Sequence, residues 1–348
     1  MDFSSEIISW YRQNKRDLPW RKTKDPYIIW LSEIILQQTR VEQGTPYFHR
    51  FAERYPTVVD FASATENEIL NNWQGLGYYS RGRNMHFTAK FIVANNAGVF
   101  PNSYDDLIKL KGIGEYTAAA ISSFSANESK AVVDGNVFRL LARYFGISTP
   151  INSSKGKIEF SALANSLIDR AEPGLYNQAI MEFGSLQCKP GNPLCGTCPL
   201  RLGCVALNNN LVPLLPVKIK AQKSRTRNFN YIVVVKDDSL LINKRGANDI
   251  WENMYDFPLL ETQDLLSPES LLCDAQFIEK FGNEVTIDAV YGPVKHLLSH
   301  QKIYAQFFVI EHFSESFLHY NSWQYVRYSD LEHLAQPKLI FEFLKSFL

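Results

Sequence analysis

The sequence predicts two domains of different class: a mostly α-helical first region ending in a cysteine loop, then a smaller α+β region. Three observations predict this. Apolar residues recur at helical spacing, between capping signals, through residue 187. Cys188, Cys195, Cys198 and Cys204 then cluster within 17 residues. A polar, basic stretch over 206–228 follows, and the texture beyond it becomes strand-like. The expected boundaries are a helical region at 1–205, a linker at 206–228 and an α+β region at 229–348. With 348 residues and 45% apolar composition, the chain can bury more than one core.

The elements follow in order. Ser4 or Ser5 can cap a helix running to about Arg12. Tyr27 to Gln38 and Pro46 to Arg54 are apolar-periodic. Thr65-Glu66-Asn67-Glu68 and Ser103-Tyr104-Asp105-Asp106 read as capping boxes, the second with Asp for Glu. Helical patterns continue at Tyr116–Phe124, Asn136–Phe145, Lys157–Ala171 and Leu175–Leu186. In the second region, Tyr231–Lys236 and Ser239–Asn243 read as a hairpin around Asp237-Asp238. Lys302–Glu311 reads as another strand, and Pro268–Phe281 and Tyr328–Leu348 include helical stretches.

The net charge is zero, but the halves differ. Residues 1–230 carry 27 Lys and Arg against 19 Asp and Glu; residues 231–348 carry 9 against 17. The first region can therefore attract phosphates, and the second cannot do so broadly. No apolar run reaches the ~18 residues of a membrane span. The first ten residues have no basic segment before an apolar stretch, so no signal peptide is expected. The expectation is a soluble, cytoplasmic protein.

The cysteine spacing is C-x6-C-x2-C-x5-C. Four thiolates so placed can bind zinc or an iron–sulfur cluster. The gaps of six and five exceed those of zinc knuckles and suit a cubane cluster on an irregular loop better. Two disulfides are the alternative, disfavoured because the only other cysteine is Cys273 and no secretory signal is present. Cys273 itself reads as a buried small hydrophobe. Upstream, Leu110-Lys111-Gly112-Ile113-Gly114-Glu115-Tyr116 reads as helix, Gly-x-Gly turn, helix. Glycines allow the tight turn, and the free N–H groups of the next helix can hold a phosphate. Lys111, Gly112 and Gly114 are thus candidate DNA-backbone contacts.

Two carboxylates stand out. Asp134, in Val133-Asp134-Gly135-Asn136, is an N-cap candidate and also a candidate stabiliser of positive charge on a sugar. Glu33 sits between large apolar residues in Trp30-Leu31-Ser32-Glu33-Ile34. A solvated helix face is its plain alternative; burial would instead raise its pKa and make it a general acid.

Taken with Asp17-Leu18-Pro19-Trp20-Arg21, the Trp30–Thr39 block, Gly75-Leu76-Gly77-Tyr78-Tyr79 and the cysteine loop, these motifs resemble the MutY family of adenine DNA glycosylases. That family belongs to the endonuclease III superfamily. The resemblance covers nearly the whole chain. It implies a helix–hairpin–helix glycosylase domain with a [4Fe–4S] loop and a MutT-like (Nudix-like) α+β domain. It implies removal of adenine mispaired with 8-oxoguanine or guanine in double-stranded DNA. Glu33 would protonate adenine N7, Asp134 would stabilise or trap the sugar cation, and Tyr116 and Asn136 would support them. The lyase relatives carry a Schiff-base lysine where this chain has Tyr116, so a monofunctional enzyme is implied. Gln38 and Tyr78 match strand-separating wedges; Trp20, Arg21 and Leu36 match positions near the flipped base. The cluster would fix a loop presenting Lys189 and Arg201 to phosphate.

In the second domain, the family reads 8-oxoguanine through a Phe-Ser-His loop. Here the stretch is Leu298-Ser299-His300, so Ser299 and His300 are kept and the aromatic is lost. No REx2EExG-like helix is present to hold magnesium, so binding without nucleotide hydrolysis is expected. A monomer is expected. The rivals are an endonuclease III-like lyase acting on oxidised pyrimidines and a non-catalytic damage sensor.

Overall fold

Asp2, rather than Ser4 or Ser5, starts the first helix. Its side chain accepts from the Ser5 N–H, and α1 runs Phe3–Asn14. In this computed structural model, residues 2–220, 224–298, 300–310 and 323–348 are described. They form two compact units: Met1–Ser63 with Asn84–Lys220, and Ala64–Arg83 with Ala221–Leu348.

In the first unit, α1 buries Phe3, Ile7, Ile8 and Tyr11, a stripe of helical period that packs on α11 (Pro173–Leu186). Asp25 caps α2 (Pro26–Ile35), with Pro26 at its first position. This helix stops short of the expected Gln38, whose backbone turns left-handed at φ 57°. Next, α3 (Val41–Arg54) begins before Pro46 and contains it, and α4 (Val58–Ser63) follows. The chain then passes through α5 (Glu66–Asn72) and α6 (Ser80–Asn95). Thr65 and Glu68 form the reciprocal capping box that the sequence announced. Ser103 caps α7 (Tyr104–Leu107) by accepting from the Asp106 N–H. The unit's other helices are α8 (Glu115–Ala126), α9 (Gly135–Phe145), α10 (Ser154–Leu167) and the short α12 (Val205–Asn208). The core joins Ile7, Val137, Leu141, Phe160, Ile180 and Phe183. Burying each such side chain contributes ~1.5–3 kcal/mol.

Residues 206–220 are not a free linker. Leu215 is buried, and the Ile151 N–H donates to the Val217 carbonyl at 3.0 Å. The Asn152 amide exchanges hydrogen bonds with the Ile219 backbone. Scattered apolar residues and backbone pairing anchor this basic stretch to the helical unit.

The second unit is built on β1 (Arg225–Lys236), β2 (Ser239–Lys244), β3 (Tyr255–Asp256), β4 (Leu259–Thr262), β5 (Ile287–Leu297), β6 (Gln301–Ile310) and β7 (Trp323–Arg327). The sheet order is β3-β2-β1-β6-β5; β4 pairs with β1 and β7 with β2. Central β1 runs parallel to β6 and antiparallel to β2 and β4. Its Phe229–Val234 stretch is buried throughout, as expected for a strand covered on both faces. The hairpin turns at Asp237-Asp238, with Val235 opposite Leu240 and Asp237 at φ 53°. Phe277 and Phe281 of α14 (Ala275–Phe281) join Ile232, Val234 and Leu271 in one core; Leu271 belongs to α13 (Pro268–Leu272). The C-terminal stretch holds a 3-10 turn and α15 (Lys338–Phe347). Cys273 is exposed at the C-cap of α13, not buried, because only Leu271 of that short helix faces the core.

Residues 64–83 group with this unit through side-chain amides. Asn67 and Asn71 donate to the His333 and Glu332 carbonyls at 2.8 and 2.9 Å. Asn253 donates to Glu66 at 2.6 Å.

Candidate active site

The loop after α2, the first turn of α8 and the face of α11 enclose a cavity of about 390 Å³ in the first unit. Its lining includes Trp20, Arg21, Glu33, Leu36, Tyr116 and Asn136. The structure thus gathers six residues singled out from sequence. Trp20 is held edge-on to Phe48 at 5.2 Å. Leu36 packs so tightly on α3 that a Cβ at Gly44 would stand 2.6 Å from its Cδ2.

Glu33 hangs from α2 into this cavity, and the Tyr116 phenol donates to its Oε2 at 2.7 Å. Burial raises its pKa to about 7, against the lowering pull of that hydrogen bond; the Asp134 charge raises it and the Arg21 charge lowers it. Glu33 therefore holds its proton to much higher pH than an ordinary glutamate does. Burial also pushes the Tyr116 phenol well up, with the Glu33 charge adding to the effect.

Asp134 is an N-cap, as its sequence setting suggested. Its Oδ1 accepts from the Asn136 and Val137 N–H groups at 2.9 and 2.8 Å. Its Oδ2 takes the Asn136 amide at 2.7 Å. Burial raises its pKa, while these donors favour the charged form. Asn136 is itself gripped by Arg139, which donates to its Oδ1 at 2.9 Å. Arg139 also donates to the Gly184 and Cys188 carbonyls at 2.6 and 2.7 Å. A continuous set of hydrogen bonds so runs from the cysteine loop to Asp134.

Sequence reasoning missed Glu182. Its side chain, 1% exposed, bridges Arg16 at 2.7 Å and Arg21 at 2.9 Å beside Glu33. Burial alone would raise its pKa; the two guanidinium groups reverse that and hold it at about 2. The signal was available. Met181-Glu182-Phe183 is an acid among apolar neighbours on a helix, the pattern that exposed Glu33.

The Gly-x-Gly turn lies apart from the cavity. Gly112 has φ 82°, and a Cβ there would meet Asn84 at 2.8 Å, so both backbone and space require glycine. Gly114 is the exposed N-cap of α8, with open space where a Cβ would be. The first N–H groups of α8 can face a phosphate. Lys111 stands over the Phe87 ring at 4.5 Å. Gln38 and Tyr78, the wedge candidates, both hold left-handed backbone, at φ 57° and 49°. Such geometry costs roughly 1–2 kcal/mol per non-glycine residue and clusters at functional sites.

Cys188, Cys195, Cys198 and Cys204 line one small cavity with Arg143 and Leu200, and none is in a disulfide. Arg143 donates to the Lys189 and Pro190 carbonyls at 2.7 and 3.1 Å and so staples this loop. Burial raises the Cys198 thiol to about 11; the Leu200 N–H opposes this, and the other three cysteines add to it. Among the described residues no three metal-ligating groups close tightly enough to hold one ion. Lys189 is half-buried and Arg201 is exposed beside this loop.

In the second unit, Tyr78, His296, Leu298, His300 and Lys338 line a cavity of about 660 Å³. His296 stands edge-on to Trp251 at 5.9 Å, and burial lowers its pKa. Ser299 lies outside the described residues. Among the described residues no helix is long and apolar enough to cross a membrane.

A family model for HhH-GPD superfamily base excision DNA repair proteins matches residues 31–165, and a NUDIX domain model matches 230–346. The adenine DNA glycosylase of Buchnera aphidicola subsp. Baizongia pistaciae is 34% identical over 305 residues, covering 87% of this chain and 84% of that protein. The adenine DNA glycosylase of Schizosaccharomyces pombe is 28% identical over 97% of this chain and 87% of its own. A thermostable thymine-DNA glycosylase structure aligns with TM-score 0.56 and 27% identity, over 60% of this chain and 95% of that one. A non-covalent endonuclease III–DNA complex aligns with TM-score 0.51 and 20% identity, over 60% and 94%, which is a likeness of fold. With the acid-bearing cavity, the hairpin and the Nudix-like second domain in place, these matches establish that the chain belongs to the adenine DNA glycosylase family.

Proposed function

We propose that this enzyme hydrolyses adenine from double-stranded DNA where it faces 8-oxoguanine or guanine, and that it leaves an abasic site without cutting the strand. The observation that carries this reading is the Glu33–Tyr116 pair. A carboxyl held near neutral pKa by burial lines a cavity of base size, with a phenol where a lyase needs an amine.

With adenine in the cavity, Glu33 donates its proton to N7. The C1′–N9 bond breaks and its electron pair goes to the base. The Asp134 carboxylate, held by Asn136 and the α9 N-terminus, opposes the positive charge left on the sugar or bonds to C1′. Water then adds at C1′ and gives a proton to the Glu33 carboxylate, which restores the acid. Arg21 and Glu182 stay paired beside the base. Gln38 hydrogen-bonds in the stack, and Tyr78 intercalates by the 8-oxoguanine. Ser299 and His300 read the opposite 8-oxoguanine, with Leu298 providing no aromatic stacking.

The four cysteines would hold a [4Fe–4S] cluster, whose contribution is to tie the loop of Lys189 and Arg201 to the helical unit. Visible absorbance and iron analysis test that assignment. The protein acts as a monomer inside the cell. For the substrate, excision is compared on duplexes with adenine opposite 8-oxoguanine, guanine, cytosine or thymine, each with borohydride present. Release confined to the first two, with no trapped adduct, is expected. Strong trapping through an amine would overturn the monofunctional reading.

A further inference from the structure

Tyr116 also lines a second cavity of the first unit, of about 660 Å³. Val133, next to Asp134, and Phe138, early in α9, form part of its wall. Three cations open onto it from separate segments: Lys130 from the stretch before Asp134, Lys157 from α10, and Arg170 from the turn beyond α10. Glu115 is the one acid among the described lining residues. Lys157 and Arg170 are exposed, and among the described residues neither has an ion-pair partner.

The wall beneath them is fixed. Asn177, fully buried, accepts from the Val132 N–H at 3.1 Å and donates to the Lys130 carbonyl at 2.8 Å. The Lys130 ammonium stands 4.5 Å from the centre of the Tyr104 ring. The N-terminal end of α8, a helix of 12 residues with no side-chain cap, flanks the cavity and adds positive potential, whereas that of α9 is already taken by the Asp134 carboxylate. A charge set of this kind, open on one side, suits an anion that arrives on an extended chain.

We propose that this cavity is a phosphate subsite, in which Lys157 and Arg170, above Lys130, hold the DNA backbone beside the nucleotide under attack. The inference rests on the proposed function. With the base beside Glu33 and the sugar at Tyr116 and Asp134, an adjoining phosphate lies on the Tyr116 side. Gripping it there would keep the strand from sliding as the base leaves the stack.

The test uses the full protein and duplexes carrying 2′-fluoroadenosine, which resists cleavage, opposite 8-oxoguanine. Methylphosphonates, which are uncharged, replace the phosphates around that nucleotide one at a time. The double variant Lys157→Ala/Arg170→Ala should bind about tenfold more weakly near 0.1 M salt, with the salt slope lowered by about one for each phosphate no longer neutralised. One methylphosphonate position should weaken wild type and leave the double variant unaffected. Lys157→Arg/Arg170→Lys should restore binding, and Lys345→Ala, in the second unit, should change nothing. Wild-type affinity and slope in the double variant would overturn the proposal. So would weakening that no methylphosphonate position discriminates, because the charges would then act diffusely. Failure of wild type to release adenine from the cleavable duplex would instead count against the proposed function.

Discussion

Replacing Glu33 by glutamine should stabilise the helical unit at alkaline pH and leave it unchanged in acid. Glu33 has its pKa raised from 4.5 to about 7 in the folded protein. Below pH ~4.5 the folded and unfolded states both carry its proton. Between pH ~4.5 and ~7 only the folded state keeps it, so stability falls as pH rises through this window and levels off above it. At ~1.4 kcal/mol per pH unit, the loss is about 3 kcal/mol. Glutamine has nearly the same shape, carries no proton equilibrium, and can still accept from the Tyr116 phenol. The variant and wild type should therefore match near pH 4.5, and the variant should lead by about 3 kcal/mol at pH 8. Denaturant unfolding of both proteins, at matched iron content and across this range, measures the difference directly. A gap independent of pH, or a variant less stable at pH 8, would show that burial does not hold a proton on Glu33.

Glu182→Gln should cost about 3–5 kcal/mol in denaturant unfolding, because Arg16 and Arg21 lose the buried carboxylate between them. It should also move the alkaline limb of excision to lower pH, since Arg21 would act on Glu33 without its counter-charge. Arg139→Gln removes four hydrogen bonds to carbonyl or amide oxygens and should cost about 3–4 kcal/mol. Single-turnover excision should fall further than DNA affinity, because Asn136 and Asp134 lose their support. Leu298→Phe should raise the preference for 8-oxoguanine over guanine about tenfold, from base–aromatic stacking of roughly 1–3 kcal/mol; the ratio of dissociation constants for the two duplexes reads it.

The sequence exposed what is encoded locally. An acid in the apolar run Trp30–Ile35 announced Glu33, and an Asp-Gly pair before an apolar helix announced the cap at Asp134. The four cysteines announced their own loop. What it hid depends on distant partners. Residues 64–83 join the second unit through Asn67 and Asn71 reaching carbonyls more than 250 positions away, for which no local pattern exists. Strand β5 lies at the sheet edge, carries Gly292-Pro293 and exposes most of its residues, so it lacks the continuous apolar run that marked β1 and β2. Residues 206–220 look like linker by composition, and only their pairing to Ile151 and Asn152 anchors them.

The most direct measurement of the central claim is single-turnover processing of a duplex with adenine opposite 8-oxoguanine, by wild type and Glu33→Gln, with and without alkali. Wild-type scission that appears only after alkali, and vanishes in the variant, is the expected result. Scission without alkali, or undiminished adenine release by the variant, would contradict a monofunctional glycosylase driven by Glu33.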